Sequence, residues 1–395
     1  MLRKTSKYLI LIGLLTGCVQ SFDFESSDYE KILVVDGLLT TEEKIHTVRL
    51  NYTKPVNVDT LLPLSNANVT VLAGDGTIFS YSEISIGFYR SDVAFEGIPG
   101  ENYQLQIVTD EGKTYQSGRE ELLQPTPVDS ITTQVTEFPS EELGRNELGV
   151  QFFVNADPST HGGSSYFRFD WNETFQIRVP RPSLYKASNP CNASTCSWEL
   201  RDENIGICYQ SNQSIALIIG TTIFNSNNRL TEVPLRFASL EGDLLRNRYS
   251  IEATMYAINQ EAYLFYSRLK EVNESGGSLF DNQQGAVIGN MRSITNPDEP
   301  VLGFFEVSGV SKKRQFFEPQ NYGPDFTTPD FRFSCSGDSV VFDTTADDVG
   351  NQLSRRTNYQ IIYVSETGNQ ATLGHRTCTD CTWYASNVKP DFWID

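Results

Sequence analysis

The chain has 395 residues, with 31 Lys and Arg against 50 Asp and Glu, for a formal charge of −19. That balance excludes a nucleic-acid groove built on clustered cations, and equally a purely electrostatic grip on an anionic membrane. The 24 Phe and 18 Tyr, together with many Val, Ile and Thr, favour strands.

Residues 1–17 have the order of a secretory signal: Arg3, Lys4 and Lys7, then the apolar run Tyr8 to Leu15, then Thr16 and Gly17 before Cys18. The run is shorter than the roughly 20 residues a membrane helix needs. The Leu15-Thr16-Gly17-Cys18 tetrad resembles a bacterial lipobox, which implies cleavage before Cys18 and lipidation of its thiol. Residues 18–30 are polar and acidic and read as a tether, with an added edge strand as the alternative.

Residues 31–125 predict an immunoglobulin-like antiparallel β-sandwich. Ile32 to Val35 is an apolar strand leading to Gly37, Val48 to Tyr52 alternates, and Val69 to Leu72 ends at Gly74-Asp75-Gly76. Asp75 belongs to a hairpin turn rather than to chemistry. A further strand opens at Phe88-Tyr89, Tyr103, Leu105 and Ile107 alternate, and Asp110-Glu111-Gly112 turns the chain back. Pro125 and Pro127 mark a boundary.

Residues 126–395 predict a larger β-rich domain with at least one packed helix. Val150 to Val154, Tyr166 to Trp171 and Ile215 to Ile219 read as strands. In the second of these, Phe167, Phe169 and Trp171 share the core face, and Tyr166, Arg168 and Asp170 the other. A helix follows Asn259 as N-cap, with a stripe of Ala262, Phe265, Leu269 and Val272 and a stop at Gly276-Gly277. That stripe is a packing face or, alternatively, a partner-binding one.

Six cysteines follow Cys18: Cys191, Cys196, Cys208, Cys335, Cys378 and Cys381. An even number in an exported chain predicts disulfides and leaves the connectivity open. A zinc site, or a redox pair at Cys378-Thr379-Asp380-Cys381, is the rival reading. Three histidines, His46, His161 and His375, are scattered, and no nucleophile elbow, phosphate loop or zinc-protease motif is present. Asp343, Asp347 and Asp348 lack the ligand spacing of a calcium loop and read as solvated acids. Neither a catalytic residue, a metal site nor a cofactor is expected.

From residue 276 onward the chain resembles a family of Bacteroidete outer-membrane lipoproteins, the domain-of-unknown-function 4249 family. The resemblance rests on Gly276-Gly277-Ser278-Leu279-Phe280-Asp281, Gly289-Asn290, Asn296 to Phe305 and Ser308 to Arg314. Val34-Val35-Asp36-Gly37, the helix around Ala262-Tyr263, Cys378 to Cys381 and Lys389-Pro390-Asp391-Phe392-Trp393 extend it over most of the chain. It implies no catalytic residue. It implies a lipid-anchored, surface-exposed accessory partner of a TonB-dependent transporter, with Asp23 and Glu25 as a loose surface-export signal. The other reading is a freestanding structural or adhesive surface lipoprotein. Lys312-Lys313-Arg314, a basic triplet in an acidic protein, is the candidate partner contact.

Overall fold

The computed structural model describes residues 31–394 apart from 56–57, 59, 141–143, 161–163, 189–190, 192–195, 276–286 and 338–339. Cys18, the signal and tether, Asp23, Glu25, His161 and Gly276 to Asp281 therefore lie outside the described residues. The rest is mainly β: among the described residues a 15-stranded sheet runs through two sandwiches, a three-stranded sheet faces it in the second, and a small three-stranded sheet, the third sheet below, lies with a two-stranded hairpin beside them.

The first sandwich begins with β1 (Leu33–Thr40), β2 (Thr47–Tyr52), β3 (Leu62–Pro63) and β4 (Asn68–Ala73). It continues through β5 (Ile78–Ser85), β6 (Phe88–Ser91), β7 (Asn102–Val108), β8 (Thr114–Ser117) and β9 (Glu120–Glu121). Alternation sets the core: Val69 and Val71 on β4, and Tyr103, Leu105 and Ile107 on β7, all point inward. The Asp75 turn forms as expected, with Asp75 Oδ1 accepting from Thr77 N at 2.8 Å.

The second sandwich faces β10 (Val128–Ser140) and β11 (Arg145–Ala156) onto β12 (Tyr166–Arg178). Between β12 and the next long strands lie β13 (Tyr185–Ala187), β14 (Trp198–Leu200), β15 (Ile207–Gln213) and β16 (Ile218–Thr221). Then come β17 (Leu230–Ser239), which joins β10 and β11, and β18 (Tyr249–Ile258), which pairs with β12. The expected strand at Ile215–Ile219 starts later and runs on to Thr221. The chain first leaves the edge of β12 at Ser214, and Ile215 is exposed.

Helix α1 (Gln260–Ser275), β19 (Met291–Ser293) and the 17-residue β20 (Val301–Phe317) tie the halves together. The first half of β20 runs parallel to β1 and its second half antiparallel to β18. The first sandwich thus takes in β19 and residues 301–308 besides the 31–125 stretch. Gly303, at φ +91°, permits this approach: a Cβ there would lie 1.8 Å from the Val35 carbonyl oxygen.

The small third sheet is β21 (Val341–Thr345), β22 (Tyr359–Val364) and β23 (Gln370–His375), with helices α2 (Val349–Arg355) and α3 (Arg376–Thr379). The β13–β14 hairpin packs beside it.

Candidate functional site

Helix α1 starts where the two sandwiches meet, and its cap is built into that contact. Asn259 Oδ1 accepts from Ala262 N at 2.8 Å, while its Nδ2 donates to Glu120 Oε2 at 2.6 Å. The other Glu120 oxygen accepts from Asn290 Nδ2 at 2.8 Å. The same Asn290 amide donates to Phe305 O and accepts from Phe305 N, both at 2.9 Å, so a side chain stands in for a strand partner between β19 and β20. Burial pushes the Glu120 carboxyl above its usual range, and the two amide donors pull it back only in part.

One turn along α1, the helix covers a charged cluster on the outward face of β12 and β20. Buried Glu306 accepts from Arg168 Nε at 2.9 Å and Nη2 at 3.2 Å, from Tyr266 Oη at 2.5 Å and from Ser308 Oγ at 2.8 Å. The remaining Arg168 donors reach Asp170, and the guanidinium lies 3.9 Å from the Tyr256 ring centre. Burial works against the Arg168 charge, but Glu306, Tyr266 and Asp170 outweigh it and hold the group protonated. The Tyr266 hydroxyl is pushed well up by burial and then by Glu306. Each partner is satisfied, as a buried ion pair requires.

Beside this cluster, between α1 and the β1–β20 pair, lies a recess of about 600 Å³. Val34, Leu302 and Phe304 form its floor, and Phe265, Leu269 and Val272 of the helix its roof. Asp36 opens onto it and remains solvent-accessible. Burial raises the Asp36 carboxyl, against the smaller opposing pull of Arg49 and Arg168.

The six later cysteines form three disulfides, Cys191–Cys196, Cys208–Cys381 and Cys335–Cys378. Cys378 and Cys381 are each bonded elsewhere, so they are not a redox pair, and no sulfur of the six is left as a zinc thiolate. Among the described residues, no three His, Cys, Asp or Glu side chains are placed to hold a metal ion. Asp343 accepts from Thr372, and Asp348 from Asn351 and Gln352 at the start of α2. His46 is buried with Nε2 2.9 Å from Phe95 O, and His375 caps α3, in different parts of the molecule.

The basic triplet lies within β20 and is occupied internally. Lys312 pairs with Glu42 at 2.5 Å, Lys313 donates to Asp129 O at 2.6 Å, and Arg314 pairs with Glu252 at 3.0 Å while covering the Phe392 ring. The Arg168–Glu306 pair and Asp36 escaped the sequence reading. Their one signal was a lone charge inside an apolar strand: Glu306 between Phe305 and Val307, and Asp36 after Val34-Val35.

The fold and this junction define a β-rich sandwich protein in which Arg168–Glu306 and Glu120–Asn290 link β12, β20, α1 and β19. The family model described as Domain of unknown function (DUF4249) matches residues 19–314, and the chain belongs to that family. Of the residues that carried the resemblance, Val34 to Gly37, Ala262-Tyr263, Gly289-Asn290 and those in β20 meet around this junction. No curated protein matches. A DUF4785 family protein from Legionella pneumophila subsp. pneumophila str. Philadelphia 1 is 9% identical over 56% of this chain and 52% of that one, with a TM-score of 0.18. The chain thus spans about half the length of that protein.

Proposed function

We propose that the protein is a lipid-anchored, non-catalytic accessory lipoprotein that partners a TonB-dependent transporter at the bacterial outer membrane, exposed at the cell surface. The observation that carries this reading is the basic, apolar, then Thr16-Gly17-Cys18 order, which stops where the family match begins at residue 19. Disulfides suit an exported, oxidising compartment. The acidic folded part, with no electrostatic hold on anionic lipid, leaves attachment to the acyl chains, and several chains hold a protein where one is marginal.

Two measurements test the reading. Mass spectrometry of the mature protein is expected to show an acylated N-terminal Cys18, and Cys18→Ala to release the chain from membranes. An intact Gly17–Cys18 bond without acyl mass sinks the anchor. Affinity purification from gently solubilised outer membranes, after crosslinking in intact cells, is expected to recover a TonB-dependent transporter in stoichiometric amount. Recovery of the lipoprotein alone favours a freestanding surface protein.

A further inference from the structure

The recess under α1 has a volume inside the range typical of small-ligand sites, about 300–1,000 Å³. Its floor and roof are aliphatic and aromatic, contributed by β1, β20 and α1. The polar groups nearest to it are already committed: Tyr266 Oη and both Arg168 edges are turned to Glu306 and Asp170. Asp36 is the exception. Its carboxylate makes no side-chain hydrogen bond or ion pair among the described residues, and Arg49 and Arg168 attract it without bonding it. Its cross-strand neighbour Arg49 lies over the Phe88 ring at 5.2 Å, and its neighbour on β20 is Phe304.

A solvent-accessible carboxylate beside apolar walls, attracted by Arg49 and Arg168 but bonded to neither, is open to a partner from outside the fold. An anion there would meet Asp36 with like charge, and a neutral body would leave it unpaired. The rings of Phe265 and Phe304, with centroids 5.0 Å apart, pack on each other and close one side of the recess with apolar surface. We propose that this recess binds an amphipathic organic cation, its apolar body between α1 and the β1–β20 pair and its protonated amine on Asp36. The site belongs to this chain alone and does not depend on the transporter partnership.

The test uses three soluble probes of one shape, 3-phenylpropylamine, 3-phenylpropanol and 3-phenylpropanoate. Each is titrated calorimetrically into the full chain in mild detergent, against detergent alone. The amine is expected to bind at least about tenfold more tightly than the other two, equivalent to about 1.4 kcal/mol. Asp36→Asn is expected to bring the amine level with the alcohol. Leu269→Trp, which adds bulk on the helix side of the recess, is expected to weaken all three. Thermal melting confirms that each variant is folded. Equal affinity for the three probes, no binding to the folded wild type, or an amine preference that survives Asp36→Asn overturns the proposal.

Discussion

The first sandwich and the small third sheet solve the same problem by different means. The first buries a broad core, with Val35, Leu50, Val71, Tyr89, Leu105 and Ile107 fully enclosed, and contains no cysteine. The third sheet encloses little more than Val349, Ile361, Val364, Ala371 and Leu373, and the disulfides cluster around it. A core of that size contributes little against the entropy of ordering its strands, so covalent links that constrain the unfolded chain replace burial. Cys208–Cys381 does more than close a loop, since it fixes the segment after α3 to β15 of the second sandwich. Trp393, packed on Tyr209 and Phe316, reinforces the same contact from the chain's C-terminal end.

Breaking the contrast begins with that bond. Cys208→Ala with Cys381→Ala opens a link spanning 173 residues, worth up to about 5 kcal/mol by loop entropy. Calorimetry is expected to show an early transition for the third sheet, with the first sandwich melting as before. A single transition shifted as a whole would dissolve the distinction.

The junction sharpens it next. Glu306→Ala leaves Arg168 buried without its bidentate partner and is expected to cost about 3–5 kcal/mol in denaturant unfolding. Arg168→Met combined with Glu306→Leu removes both charges and is expected to cost much less. Equal losses would mean that the pair contributes through packing rather than charge.

The smallest effect separates the regions by pH. His46 is buried in the first sandwich, and desolvation lowers its pKa from 6.5 to about 4. Below pH 6.5 the unfolded chain takes up a proton that the folded one refuses. Stability therefore falls as pH drops from 6.5 to about 4, by up to about 1.4 kcal/mol per pH unit. His46→Gln is expected to flatten this part of the pH profile for the first sandwich and leave the third sheet's transition unchanged. An identical slope in the variant would remove His46 as the cause.

What the sequence disclosed was local. The alternation of Phe167, Phe169 and Trp171, the Asp75-Gly76 turn and the Asn259 cap each depend on neighbours a few residues away, and each stands where the pattern put it. What stayed hidden was long-range. Glu120 and Asn290 meet across 170 residues, and Lys312 finds Glu42 only because β20 runs alongside β1. The triplet's charge was legible and its partners were not. Asp36 entered only as part of the family resemblance at Val34 to Gly37; that it opens onto a recess follows from α1 and β20 arriving more than 200 residues later.

The continuity of β20 also sets how the molecule carries load. At up to about 3.3 Å per residue its 17 residues span at most roughly 56 Å, and the one strand is shared by both sandwiches. A pull on the N-terminal end of β1 runs along the strand axis, while the far half of β20 is held by β18 in the second sandwich. The parallel β1–β20 hydrogen bonds, from Leu33–Val301 to Thr40–Ser308, are then strained together in shear instead of peeling one after another. Tension entering at that end is thus met by eight residue pairs loaded together, and β20 carries it on to its pairing with β18.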